Sequence, residues 1–556
     1  MDRRTFLFAG AAGAAGVGAL GALGTLSSLA SLTDLSRTGW IETTPVIDSP
    51  GMREGHALRD HRSLPAPSGT LETNIAILGA GAAGLSCAWQ LARAGHKDFV
   101  VLAGPEFGGN AAGGRYGELG YPKGAHYLPL PSMESTHLRD MFADFGVIEA
   151  DPFTARPVFD ERVLVHAPDE RLLIDGQWQD GLVPALGVDH AEIAQQQRFF
   201  AYTDMLRTAV GSDGRKVFCI PLAQSSQEPR WRALDKRSFK QWLVDEGYTA
   251  PSLHWYLNYA CRDDFGAGYE HVSAWAGLHY FSSRGGHARN AEDGAVLTWP
   301  DGLHSMVTRL SESITQRLGK STWSLPGFAA RVDEKPGGVE VLCVRIDSHD
   351  VLSTFVLKAR RVVSAMPLFV AQHVMPHLSA YGFDASRDLP PRAPWLVSNF
   401  LMDGMPREAP GVPLAWDNVV YRGEGLGYVV STHQLIRLSP PQRSVFSAYQ
   451  ALDLKTPDDT RRWLAAAHPD DLRTQAAIDL LPAYGRDLWR HAAALEITVR
   501  GHAMATPDVG FLSRPGLLAL RDADGPVLFA HADLSGMSLF EEASYWGVLA
   551  AHRALG

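Results

Sequence analysis

Cysteine is scarce in this sequence, and long basic runs are absent. The four cysteines, Cys87, Cys219, Cys261 and Cys343, lie far apart and form no C-x-x-C pair. That spacing argues against a disulfide framework and against a zinc site. Each thiol is expected to be a small buried hydrophobe. Net charge is −10, and without a basic run nucleic acid is disfavoured as a partner. No metal-ligand spacing and no internal repeat occurs. Hydrophobic residues make up 46% and charged residues 20% of the 556, the balance of a packed core rather than a disordered chain. The length suits two or more domains or one large interleaved enzyme.

One long uncharged run is present, at the start. Arg3-Arg4-Thr5-Phe6-Leu7 opens it, and no charge follows until Asp34. A charged start, an apolar middle and small residues near Ser28-Leu29-Ala30 are the parts of an export signal. The paired arginines before Phe-Leu resemble the twin-arginine signal, which carries folded proteins. Six glycines between Gly10 and Gly24 weaken the alternative of a membrane anchor. Residues 1–33 are therefore expected to be an export signal that engages export machinery at the membrane. The expected location is the periplasm or cell envelope, with cleavage left open. Residues 34–70, rich in Pro, Gly and Arg, read as an arm without regular structure.

Two G-x-G-x-x-G matches occur. Gly16 to Gly21 lies inside the signal, with no strand before it, and is a composition accident. Gly79-Ala80-Gly81-Ala82-Ala83-Gly84 has the right context. Ile75 to Leu78 reads as a buried strand, Leu85 to Arg93 as a helix, Gly95 as its C′ residue, and Phe99 to Leu102 as a second strand. In such a unit Gly79 permits the turn, Gly81 lets backbone approach a diphosphate, and Gly84 lets helix pack on strand. The helix N-terminus then faces the diphosphate. A ribose-binding acid should close the second strand, but Ala103 stands there and Glu106 follows three residues later. No arginine lies between Ala103 and Asn110, so NADP is disfavoured. Glu106 or backbone groups are expected to take over the ribose contact.

Further segments complete a pattern: Gly108-Gly109-Asn110, Gly124-Ala125-His126-Tyr127, Ala329 to Val332, Gly337 to Val341, Ala359 to Pro367, and Phe529-Ala530-His531-Ala532-Asp533 before Ser538-Leu539-Phe540-Glu541. With the glycine turn, these resemble the flavin-containing amine oxidase superfamily, which includes protoporphyrinogen oxidases and phytoene desaturases. The resemblance implies an α/β fold: an FAD-binding Rossmann-like domain with a β-meander, interleaved with an α+β substrate domain. It implies FAD as cofactor, with the "GA-x-W/Y" turn near the isoalloxazine ring and the last helix pointing its N-terminus at flavin N1 and O2. The implied cofactor-binding residues are Gly79, Gly81, Ala82, Ala83, Gly84, Ala103, Glu106, Gly109, Asn110, Gly124, Ala125, His126, Ala329, Ala530, Asp533, Ser538, Leu539 and Phe540. Ser538 with Glu541 reads as a capping box on that helix. The expected FAD domain is 71–150, 297–375 and 516–556, with the substrate domain in 151–296 and 376–515.

The sequence departs from the family at several points. Asn110 replaces the arginine of "GGR", and His531-Ala532-Asp533 stands where Gly-Glu is usual. The segment Ala393 to Gly425 lacks the lysine that many amine oxidases place near flavin N5, and no cysteine follows Cys343 to hold a covalent flavin. His126, as base or as orienting group, and Tyr127 are the catalytic candidates; a hydrogen-bonded structural histidine is the alternative. Leu253 to Gly286 is dense in aromatics around Arg262-Asp263-Asp264. It reads either as a cavity wall or as an aromatic core helix followed by a salt-bridged turn. Tyr545 and Trp546 read as core. Three functions fit: an amine oxidase-like enzyme on a small organic substrate, a desaturase or oxidase of an apolar ring or polyene, and a non-enzymatic flavin-binding envelope protein. Oxygen or a quinone would reoxidise the flavin.

Overall fold

The computed structural model describes residues 43–60, 64–347, 349, 351–408, 412–439 and 441–556. The expected signal, 1–33, lies outside the described residues, as does the start of the arm. Among the described residues no helix is long and apolar enough to cross a membrane.

The glycine turn joins β1 (Thr70–Leu78) to α1 (Ala82–Arg93), and β2 (Phe99–Leu102) follows. Ile75 to Leu78 is buried at every position, as expected of a parallel strand covered on both faces. Gly95 has φ +81° just past the end of α1, the left-handed C′ geometry that favours glycine. β1 lies parallel between β2 and β3 (Leu352–Ser364), with Ile75 opposite Phe99 on one side and Arg361 on the other. Two strands from the meander, Gly338–Ile346 and Phe328–Lys335, extend the sheet beyond β3 in antiparallel fashion.

A second sheet of eight strands contains β4 (Arg392–Asp403), β5 (Arg443–Ala451) and β6 (Ala492–Ala505), with β4 between the other two. β4 is buried at every position but its last. The aromatic helices Pro251–Phe265 and Ala274–Ser282 share one hydrophobic core with this sheet. The arm is more ordered than its composition suggests. Val46–Asp48 adds a parallel edge strand to β6, Val46 opposite Glu496, and Met52–Asp60 is helical. A short β-branched run meeting an open edge overrides the turn-rich composition around it.

The chain then returns to the first sheet. β7 (Val527–Phe529) pairs in parallel with the last residues of β3, Val362 opposite Val527. The closing helix α2 (Phe540–Leu555) crosses α1 closely: a Cβ at Gly547 would meet the Ala83 carbonyl oxygen at 2.2 Å. Trp546 is buried and donates to Ser535 Oγ at 2.7 Å, a core role. All four cysteines are buried and unpaired.

Candidate functional site

The three glycines of the turn divide their work as the local physics requires. Gly79 sits at φ +113°, and a Cβ there would lie 3.0 Å from the Ala365 carbonyl oxygen. A Cβ at Gly84 would meet the Gly79 carbonyl oxygen at 1.9 Å. At Gly81 a Cβ would meet nothing within 4 Å. Two glycines are thus demanded by packing, while the third opens onto space. Gly81 is the N-cap of α1, no side chain caps the helix, and its first turn holds no acid. Free N–H groups facing an open glycine surface fit a diphosphate. Ala103 closes β2 half-buried, and its carbonyl accepts from Ala80 N–H at 3.0 Å.

The loop after β2 folds back onto the turn. Gly108 N–H donates to the Ala80 carbonyl at 2.8 Å, and a Cβ at Gly109 would lie 3.5 Å from Gly81 Cα. Asn110 donates through Nδ2 to the Ala503 carbonyl at 2.6 Å, and its own carbonyl accepts from Ala125 N–H at 2.8 Å. Gly124 is required by that approach, since a Cβ there would meet the Asn110 oxygen at 2.2 Å. Glu106 is held by Arg500 of β6, whose guanidinium spans both carboxylate oxygens at 2.8 and 3.0 Å.

Beyond Gly124 the chain reaches the two catalytic candidates. Ala125 is exposed, and His126 and Tyr127 are half-buried. Thr298 Oγ1 donates to the His126 carbonyl at 2.7 Å, which fixes the backbone there. The His126 ring stacks on Tyr449 of β5, centroids 4.3 Å apart, with Trp416 at 5.8 Å. Tyr127 meets the same Trp416 edge-on at 6.0 Å. Tyr449 is buried, and its hydroxyl has no hydrogen-bond partner among the described residues. Burial first, then the carboxylates of Asp263 and Asp417, pushes that phenol well above its ordinary value.

Charged groups sit deeper. Arg284 Nη2 donates to Asp264 at 2.5 Å, and the guanidinium lies 4.1 Å over the Tyr280 ring. Arg262 pairs with Asp453 at 2.9 Å. The aromatic stretch thus forms two core helices: Arg262 and Asp264 of the first pair with Asp453 and with Arg284, which lies in the bend after the second. Glu541, in the first turn of α2, is buried, and burial raises its carboxyl to about 7, with Asp264 and Glu542 pushing the same way against Arg284.

The C-terminal segment differs from expectation in one respect. Ser538 is not the N-cap of α2: Leu539 is, with no side-chain cap. Ser538 Oγ instead accepts from Ala505 N–H at 2.7 Å. A backbone donor from β6 competes for the hydroxyl and wins it, so there is no capping box, and Glu541 in the first turn of α2 bonds its own backbone N–H instead. Phe540 is buried and Leu539 half-buried. Ala530 continues β7, its N–H donating to Ser364 at 2.9 Å. Asp533 is fully buried; it accepts from Arg392 Nη1 at 2.6 Å and from Leu368 N–H at 2.9 Å. Burial alone would raise its carboxyl, yet Arg392, with His531, holds it below the usual carboxylate range. Ala329 is buried at the bulge where the meander strand shifts register.

Hydrogen bonds and contacts thus bring together the glycine turn, the loop to Asn110, the turn at Gly124 to Tyr127, and β6 near Ser538. Motif reading missed Arg500, Arg392, Trp416, Tyr449 and Asp417, because each comes from the second sheet or its connections and carries no local signature.

The sequence profile of an NAD(P)-binding Rossmann-like domain matches residues 77–145. This is the class the turn and its sheet define: a mixed α/β protein with a Rossmann-like dinucleotide-binding domain. No curated protein matches the chain. Among solved structures, the chain is similar to putrescine oxidase bound to putrescine, at 15% identity, with a TM-score of 0.59 over 87% of this chain and 99% of that one. It is similar to cyclohexylamine oxidase from Brevibacterium oxydans IH-35A, at 19% identity, with a TM-score of 0.57 over 87% and 99%. A CLA-producing fatty acid isomerase from P. acnes shares the fold at 16% identity, TM-score 0.53, over 86% and 98%.

Proposed function

We propose that the protein is an FAD-dependent oxidoreductase of small cationic organic molecules, amines first among them. The observation that carries the substrate side is Tyr449. Its buried, unpartnered hydroxyl lies within the field of Asp263 and Asp417 and beside the His126 ring. An aromatic wall with two carboxylates suits an ammonium group better than an apolar polyene. Two of the solved structures that share the fold are named for oxidation of amines.

The cofactor side rests on the cradle. The open Gly81 surface, the uncapped N-terminus of α1 and the close approach of the Asn110 loop at Gly124 would fit an extended dinucleotide. When bound, FAD supplies the two-electron acceptor for a C–H bond beside the substrate nitrogen. The protein's own groups do the rest. His126 and Tyr449 form a rigid wall that orients the substrate, and Asp263 and Asp417 favour its cation. The N-terminus of α2 would offer its remaining N–H groups to the pyrimidine end of a bound flavin. Oxygen or a quinone would serve as the electron acceptor. The protein is exported by the twin-arginine route; a reporter fused after residue 33 and carrying Arg3→Lys with Arg4→Lys should stay in the cytoplasm.

Anaerobic titration of the purified protein with an amine panel tests the reading. Bleaching of the flavin by an amine, with KM raised about tenfold or more in Asp263→Asn or Asp417→Asn, supports it. Reduction by dithionite alone, with no organic donor active, contradicts it.

A further inference from the structure

Between Ala103 and Asn110 the loop over the glycine turn contains no cation, yet a diphosphate brings two negative charges to that place. One guanidinium does reach it, from 394 residues away. Arg500 Nε donates to the Lys123 carbonyl at 2.9 Å, and Nη2 reaches the Gly109 carbonyl at 3.3 Å. Nη1 donates to Glu106 Oε2 at 2.8 Å and approaches Asn110 Oδ1 at 3.4 Å, and Nη2 also meets Glu106 Oε1 at 3.0 Å. A Cβ at Gly109 would in turn lie 3.5 Å from Gly81 Cα. The Arg500 side chain is 9% exposed and that of Glu106 is 17% exposed.

We propose that Arg500 is the diphosphate-binding arginine of this chain, supplied from β6 in place of the residue that Asn110 displaces, and that Glu106 is its counterion rather than a ribose ligand. This rests on the dinucleotide reading above. Two backbone carbonyls anchor the guanidinium and stay in place when a ligand arrives. Glu106 is the partner that can yield, because a second anion beside the same guanidinium lowers the cost of releasing the first. Arg500 also ties the loop at Gly109 to the turn at Lys123, which leads into His126. A single residue of the second sheet therefore joins the diphosphate end of the cradle to the catalytic end.

The test follows FAD release from the purified full-length holoprotein by flavin fluorescence, at low and high salt. Arg500→Gln is expected to release FAD about 10- to 100-fold faster, the loss of a charged hydrogen-bond partner, with a smaller salt dependence than the parent. Glu106→Gln is expected to release FAD no faster than the parent. Arg500→Lys, which keeps the charge but not the fork, should fall between parent and Arg500→Gln. The inference is overturned if Glu106→Gln speeds release tenfold, since Glu106 would then hold the ribose. It is equally overturned if Arg500→Gln, folded by circular dichroism, releases FAD at the parent rate. Should Arg500→Gln not fold, Glu106→Gln alone decides. A parent protein that retains no FAD and takes up none defeats the dinucleotide reading and this inference together, an outcome distinct from either variant result.

Discussion

The His126 ring stacks on the Tyr449 ring at 4.3 Å with an interplanar angle of 29°, and the Tyr449 hydroxyl is buried without a partner among the described residues. An unsatisfied buried hydroxyl costs stability unless a ligand completes it. Tyr449→Phe keeps the stack and removes the hydroxyl. Its melting temperature is expected to equal or exceed that of the parent, while KM for the amine rises about 5- to 10-fold with kcat nearly unchanged. Steady-state kinetics alongside thermal melting would separate these effects; an unchanged KM removes Tyr449 from the substrate site.

The glycines of the turn should separate folding from cofactor retention. Gly84→Ala puts a methyl 1.9 Å from a carbonyl oxygen and must shift backbone; it is expected to lose several kcal/mol of stability, as overpacked positions do, at the upper end of about 1–3 kcal/mol or beyond. Gly81→Ala meets open space and should change stability by less than about 1 kcal/mol, yet its methyl occupies the diphosphate surface and FAD content should fall. Equal FAD content in Gly81→Ala and parent would count against the cradle.

The buried pair Asp533–Arg392 should reveal itself by asymmetry. Arg392→Met leaves an uncompensated carboxylate in the core and is expected to cost about 3–5 kcal/mol. The double variant Asp533→Asn with Arg392→Met should recover part of that loss. In the folded state Arg392 holds Asp533 below its usual range, so its contribution is fully present above the unfolded pKa, about 3.9, and is lost progressively as pH falls from there toward the lower folded value. Urea midpoints between pH 2 and 6, measured on parent and Asp533→Asn, would show it.

Glu541 has the opposite sign. Burial raises its carboxyl to about 7, so the folded state holds a proton that the unfolded chain releases near about pH 4.3. The resulting stability is fully present below that unfolded value and is lost as pH rises through about 7. The swing is of order 3 kcal/mol. Stability against pH should therefore fall across this window, and Glu541→Gln should flatten the slope. A parent profile already flat from pH 4.5 to 7 would exclude a buried neutral Glu541.

Local order explains what was legible in the sequence. The β1–turn–α1–β2 unit declares itself because glycine spacing, apolar runs and the C′ glycine all act within about 30 residues. The meander and β7 are legible for the same reason. Ser538 was misleading because its hydroxyl faces a competing donor, Ala505 N–H, that only the tertiary fold brings near. Arg500 and Glu106 are 394 positions apart, and nothing in either neighbourhood announces the other. Tyr449 and Asp417 are ordinary strand residues in sequence; the stack with His126 and the field around the hydroxyl exist only once β5 is placed beside the Gly124 turn.

The most direct test is the absorbance spectrum of the purified full-length protein, taken before and after anaerobic addition of an amine. A yellow protein with bound flavin, whose bands bleach with the amine, is expected. A colourless protein that cannot be reconstituted with FAD would contradict it.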